Sequence, residues 1–343
     1  MEINKQNPDF LNIGKKILDW YATNGRDLPF RNTKNPYKIW ICEIVFQQTK
    51  IAQGLQHYLR FTERFPNVET LANAHIDEVL LYWKGLGYYS RAMNVHKAAK
   101  QIMEDFNGVF PSEYKDIVQL KGVGKYTAAA VSSICFGGHY PAVDGNFYRV
   151  LSRFFAEDYD ISKTNAFAYF SDLSLKIMPV GRAGDFNQAM MDLGSEVCRP
   201  KSPFCMFCPI NEDCVAYNTG TIENFPVKNK RTEVKELFLK YYFVAYQSHF
   251  LVRRRGTDFI WKNLYEFPTE IPEKWEKNIQ NHTQYKHKLT HRNLSIDIYY
   301  TEVSSMQELE NFAKEYSFEI MNRVEAEQKS FPKPSQDYIE KYF

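Results

Sequence analysis

No apolar run in these 343 residues approaches the roughly 18 needed to cross a bilayer. The opening stretch, MEINKQNPDFLNIGKK, has no apolar centre of the kind a secretory signal carries. No membrane partner is therefore expected, and a cytoplasmic location is. Cysteine is scarce at six residues, which argues against a disulfide framework and towards metal binding or buried thiols. Net charge is also small, at +2. That sum announces no nucleic-acid partner, yet it does not exclude a basic face balanced elsewhere. The charge is in fact uneven: KNKRTEVK, Lys228 to Lys235, is basic, whereas Glu302 to Glu327 is mostly acidic. No internal repeat or low-complexity tract is present.

What is there is a soluble, globular composition, 44% hydrophobic and 24% charged, in a chain long enough for about two domains. From Phe10 to about Tyr217 the pattern is helical. HIDEVLLYWKGLG reads as a helix closed at Gly85 or Gly87, and NVHKAAKQIMEDFNG as one closed at Gly108. After Gly220 the texture changes to a polar, basic linker. Beyond it LFLKYYFVAYQSHFLVRRR and LSIDIYYTEV are rich in aromatic and β-branched residues, which predicts strands. The expected organisation is an all-α domain over 1–220, a linker over 221–236 and a smaller α+β domain over 237–343.

Four motifs carry chemistry. In YKIWICEIVFQQT, apolar residues surround a single carboxylate, Glu43, so the helix is expected to be buried around an acid. In LKGVGKYTAAAV, Gly122 and Gly124 precede a helix whose first amides could face a phosphate. It is not a Walker A loop, because Gln119 stands where that loop needs glycine and Tyr126 follows the lysine. In YPAVDGNFYRVLSRFF, Asp144 sits in a turn before a helix, a position that also suits an N-cap. An acid in an apolar helix and one in a polar turn should titrate differently, the arrangement that separates a general acid from an ionised stabiliser. Finally, CRPKSPFCMFCPINEDC places Cys198, Cys205, Cys208 and Cys214 with six, two and five residues between them. Zinc and an iron–sulfur cluster both remain open at this point. A zinc deaminase is excluded, since no H-x-E precedes a P-C-x-x-C. Cys42 and Cys135, each in an apolar run, read as core residues.

Taken together, LPFRNTKNPYKIWICEIVFQQT, GLGYYSRAMNVHKAA, LKGVGKYTAAAV, AVDGNFYRVLSR, DFNQAMMDLGSEVC and the cysteine array resemble the helix–hairpin–helix DNA glycosylases. Within that superfamily the chain is most similar to the A/G-specific adenine glycosylases of MutY type. FIWKNLYEFP and HKLTHRNLSIDI extend the likeness into the second domain. The resemblance implies hydrolysis of the N-glycosidic bond of adenine mispaired with 8-oxoguanine or guanine in double-stranded DNA, during base excision repair.

It also implies roles for individual residues. Glu43 would protonate the adenine ring and help to activate water, while Asp144 would stay ionised beside an oxocarbenium-like sugar, with Tyr126 and Asn146 in support. Arg26, Leu28, Arg31 and Gln188 would line the adenine pocket, and Gln48 and Tyr88 would fill the space left by the flipped base. Gly122 and Gly124 would make a cation-assisted phosphate contact. The four cysteines would carry a [4Fe–4S] cluster in the loop over 198–214. Leu289, Thr290 and His291 would read 8-oxoguanine in a Nudix-like domain without the acidic box that hydrolyses pyrophosphate. They depart from the usual Phe-Ser-His, and Phe30 and Phe46 stand where tryptophan and leucine are common.

Tyr126 replaces the lysine of strand-cleaving relatives, so a monofunctional enzyme is expected. A monomer that joins the nucleoid when on DNA is expected too, with the linker available for docking repair proteins. Two alternatives stand beside this reading: an endonuclease III-like glycosylase and lyase, and a non-catalytic DNA-binding protein with a redox-sensing cluster.

Overall fold

The computed structural model describes residues 10–229, 233–257 and 259–342. The described residues of Met1–Asn73 and Lys97–Arg231 form one compact unit, and those of Ala74–His96 and Thr232–Phe343 form another. The first is helical and the second is α+β, as expected.

In the helical unit, local chemistry sets the element ends. The helix Pro36–Val45 starts where the Asn35 side chain accepts a hydrogen bond from the Lys38 amide, with proline in its first turn. Seven of its ten residues are buried, so it is the interior helix anticipated around Glu43. The helix Lys125–Phe136 follows a turn in which Gly122 takes φ +78°, and it ends at Gly137, a left-handed cap at φ +73°. The helix Gly145–Phe155 is capped by the Asp144 side chain. Its inner face, with Phe147, Leu151 and Phe154, packs against Ile17, Phe170 and Phe186. Each such fully buried ring stabilises the unit by about 1.5–3 kcal/mol.

Among its described residues the second unit has six strands, β1 (Lys235–Tyr246), β2 (His249–Arg254), β3 (Tyr265–Glu266), β4 (Ile279–Leu289), β5 (Arg292–Glu302) and β6 (Glu319–Asn322). They form one mixed sheet in the order β3-β2-β1-β5-β4, with β6 paired to β2. Among the described residues only the central β1–β5 pair is parallel, Leu239 lying opposite Ile296. Both faces are covered around the second half of β1. Tyr241, Phe243 and Ala245 join one core with Tyr338 of the helix Lys333–Tyr342, while Tyr242 and Val244 join another with Phe312 of the helix Met306–Tyr316. That is why KYYFVAY reads as an unbroken apolar run and not as an alternation.

Two boundaries differ from expectation. Residues 74–96 group with the second unit, so the helical sequence pattern does not end where the first unit does. The linker expected over 221–236 is not free along its length. Arg153 Nε donates to the Phe225 carbonyl, Ile161 N to the Val227 carbonyl and Asn229 N to Asp160, which anchors 225–229 in the helical unit. Residues 230–232 of that linker lie outside the described residues, and β1 begins at Lys235.

Candidate active site

Glu43 is half-buried in the middle of its interior helix. Tyr126, near the start of the helix Lys125–Phe136, donates its hydroxyl to Glu43 Oε2 at 2.7 Å. Desolvation pushes the Glu43 carboxyl up to about 7, against the stabilising hydrogen bond from Tyr126; the charge of Asp144 raises it further and that of Arg31 lowers it. A carboxyl poised there can hold a proton at neutral pH and give it up. Burial drives the Tyr126 hydroxyl well above its usual range, so it acts as a donor and not as a charge.

Asp144 is at once a cap and a charged group. Its Oδ1 accepts from the backbone N–H of Asn146 at 2.8 Å and of Phe147 at 2.9 Å, while its Oδ2 accepts from Asn146 Nδ2 at 2.7 Å. The environment is less polar than the turn sequence implied. Burial raises the Asp144 carboxyl, and these hydrogen bonds oppose the rise. Two carboxyls therefore share one site, both raised by burial, with Glu43 moved up to about 7.

Arg149, one turn after Asn146, ties this centre to the cysteine loop. Its Nη2 donates to Asn146 Oδ1 at 2.8 Å and to the Gly194 carbonyl at 2.6 Å, and its Nε donates to the Cys198 carbonyl at 2.6 Å. Gly194 is needed here, because a Cβ would lie 2.4 Å from Asn146 Cβ. Arg153, a further turn on and 3% exposed, donates to Arg199 and Pro200 carbonyls and lies 3.5 Å from Cys198 Sγ. All four cysteines, with Arg153 and Tyr217, line one cavity. Burial pushes the Cys208 thiol up to about 12 and that of Cys214 to about 11. Among the described residues, no three His, Cys, Asp or Glu groups close on a single ion.

The remaining expected pocket residues have definite partners. Gln188 Oε1 accepts from the Tyr21 hydroxyl at 2.8 Å, and Leu28 is half-buried. Arg26 and Arg31 both bind the carboxylate of Asp192. The two sequence departures meet: the rings of Phe30 and Phe46 are 4.8 Å apart and both neighbour Tyr58. Gln48 is exposed and adopts φ +56°, a left-handed conformation uncommon for a residue with a side chain. Gly124 is extended, and a Cβ there would meet nothing, so the backbone at the start of its helix is openly approachable.

In the second unit Tyr88 is likewise left-handed, at φ +47°, and 48% exposed. Its ring lies under Arg91 at 4.9 Å, and its hydroxyl is 2.7 Å from Thr290 Oγ1. Thr290 and His291 form the two-residue tip between β4 and β5, with Leu289 packed below against the sheet core. Stacking by an aromatic at 289 is absent, and the Tyr88 contact supports the tip instead.

Sequence reasoning missed Arg149, Arg153, Asp192 and Asn187. The last, fully buried, holds the approach to Asp144 by accepting from Ala142 N at 2.9 Å and donating to the Tyr140 carbonyl. A usable signal was charge or amide within an otherwise apolar helical face, as in FYRVLSRFF.

The pattern of the HhH-GPD superfamily base excision DNA repair proteins matches residues 41–173, and that of the NUDIX domain matches 241–341. A solved thermostable thymine-DNA glycosylase superposes with a TM-score of 0.58 at 30% identity, covering 62% of this chain and 98% of that one. The adenine DNA glycosylase of Buchnera aphidicola subsp. Schizaphis graminum is 35% identical, with 79% of this chain and 80% of the relative covered. That of Buchnera aphidicola subsp. Baizongia pistaciae is 37% identical, with 82% and 83% covered. The chain belongs to the adenine DNA glycosylases, hydrolases that act on N-glycosyl bonds of DNA in base excision repair. No described helix is long and apolar enough to cross a membrane.

Proposed function

We propose that this chain removes adenine opposite 8-oxoguanine or guanine as a monofunctional glycosylase, with Glu43 as general acid and Asp144 as the ionised stabiliser. The observation that carries the reading is the carboxyl of Glu43 held near neutrality in hydrogen-bond reach of Tyr126. Protonated Glu43 delivers its proton to the ring of the extruded adenine, which makes the base a better leaving group. The resulting Glu43 carboxylate is stabilised by Tyr126 and can orient the attacking water. Asp144, fixed by Asn146, places negative charge beside the sugar as positive charge develops there. Tyr126 has no amine, so no Schiff base forms and the product is an abasic site.

Gln48 and Tyr88 fit the role of wedges, since each is exposed and held in a left-handed backbone conformation uncommon for a residue with a side chain. The open amides at Gly124 suit a DNA phosphate, with a cation assisting. Thr290, steadied by Tyr88, is the candidate reader of the 8-oxoguanine edge. Cys198, Cys205, Cys208 and Cys214 fit a [4Fe–4S] cluster, because all four thiols line the same cavity of one loop. Such a centre supplies structural cross-linking and electron exchange.

The test is single-turnover base release from a duplex with adenine opposite 8-oxoguanine, each time point split into alkali-treated and untreated halves. Breaks only after alkali, and a loss of about 100-fold or more in Glu43→Gln, are expected. Breaks without alkali would overturn the monofunctional reading, and undiminished release by E43Q would overturn the role of Glu43.

A further inference from the structure

Asp192 closes the helix Ala183–Asp192 with no side-chain exposure. Its oxygens accept from Arg26 N at 3.0 Å, Arg26 Nε at 2.8 Å and Arg26 Nη2 at 2.5 Å. They also accept from Arg31 Nη1 at 2.5 Å and Arg31 Nη2 at 2.7 Å. One buried carboxylate thus serves two guanidiniums. Arg26 has a second anion in Glu196, at 3.6 Å, whereas Arg31 Nη1 also donates to the Arg26 carbonyl at 3.3 Å and its guanidinium lies 5.6 Å from the centre of the Tyr21 ring. The opposing hydrogen bonds overcome burial and keep Asp192 below its ordinary range, so it carries its charge at neutral pH.

Few charges act on Glu43. The helix Lys125–Phe136 offers Tyr126 and Cys135, both protonated near neutrality, and Cys42 on Glu43's own helix is protonated as well. Asp144 approaches from the turn before the helix Gly145–Phe155, and Arg31 is the cation, on the turn Pro29–Arg31. The turn Pro29–Arg31 packs against the helix that carries Glu43, so an Arg31 guanidinium without its counter-ion would weigh more heavily on that carboxyl.

We propose that Asp192 is a positioning residue for the glycosylase reaction: its carboxylate clamps Arg31 and offsets its charge, which leaves Glu43 free to act as an acid and not as an ion-pair partner. This rests on the reading of Glu43 given above. Without Asp192, Arg31 stabilises ionised Glu43, and the protonated form needed for base release is confined to lower pH.

The experiment is the pH dependence of single-turnover base release from the same duplex by the full chain and by E43Q, D192N, D192E and D192N/R31M. The wild-type rate falls as pH rises through about 7. In D192N the midpoint moves down by about one pH unit or more, the size of an opposite charge at close range. D192E, which keeps the charge, and D192N/R31M, which removes charge and counter-charge together, stay near the wild-type midpoint. A D192N rate lowered equally at every pH would mean a structural role only and would overturn the proposal. Should D192N not fold, a lowered midpoint in D192N/R31M or D192E would overturn it, and wild-type midpoints in both would support it. Undiminished release by E43Q instead defeats the reading of Glu43 itself, whatever Asp192 does.

Discussion

If Glu43 is held near neutrality by burial, its ionisation should weaken the fold, and replacing it should make the protein more stable while destroying its activity. The carboxyl is raised from 4.5 to about 7, and each decade corresponds to 1.36 kcal/mol, so the ionised form is disfavoured by about 3 kcal/mol. The sign follows from proton linkage. Between those two pH values the folded chain holds a proton that the unfolded chain has lost. The stability is therefore fully present below pH 4.5 and declines as pH rises through about 7. Glu43→Gln keeps an acceptor oxygen for the Tyr126 hydroxyl at nearly unchanged volume but cannot ionise. Thermal melts of wild type and E43Q across pH 5 to 8 are the assay. E43Q should gain on wild type from pH 5 to about 7 and level off beyond, by up to about 3 kcal/mol or several degrees in Tm, with the gap smallest at the acid end. Parallel curves, with no pH-dependent gap, would refute the claim that burial strains this acid. A gap opening towards acid would mean the carboxyl is depressed and paired, the opposite electrostatics. The stability cost and the catalytic proton have one physical source, which is why functional sites are often places of local instability.

Two further outcomes follow from the geometry. Cys208→Ser should lose the brown colour that an iron–sulfur cluster gives the wild type and have a lowered Tm, since a metal centre cross-links the loop; visible absorbance and a thermal melt check this, a colourless wild type would overturn the cluster, and a brown variant would overturn Cys208 as its ligand. Tyr88→Phe removes a hydrogen bond to Thr290, worth about 0.5–1.5 kcal/mol, so the preference for adenine opposite 8-oxoguanine over adenine opposite guanine should fall by roughly 2- to 10-fold in paired single-turnover assays.

The sequence by itself determined what depends on neighbours a few residues away. An all-round apolar helix around Glu43 could be read because burial on every side shows in composition. Asp144 as a cap could be read because capping spans only two or three residues. The shift from helical periodicity to aromatic, β-branched strands marked two architectures, and the tight cysteine spacing marked one loop. What acts across the chain was decided by tertiary structure alone. Tyr126 reaches Glu43 over 83 residues, and Asp192 reaches Arg26 over 166. Nothing in the periodicity of either segment specifies the partner. Residues 74–96 look like their helical neighbours, yet pack with the strand-bearing unit, because a helical face records that it is buried but not against what. The protonation of Glu43 belongs to this second kind of fact. Its helix supplies the apolar setting, but the balance of desolvation, Tyr126, Asp144 and a clamped Arg31 exists only once the chain has closed on itself.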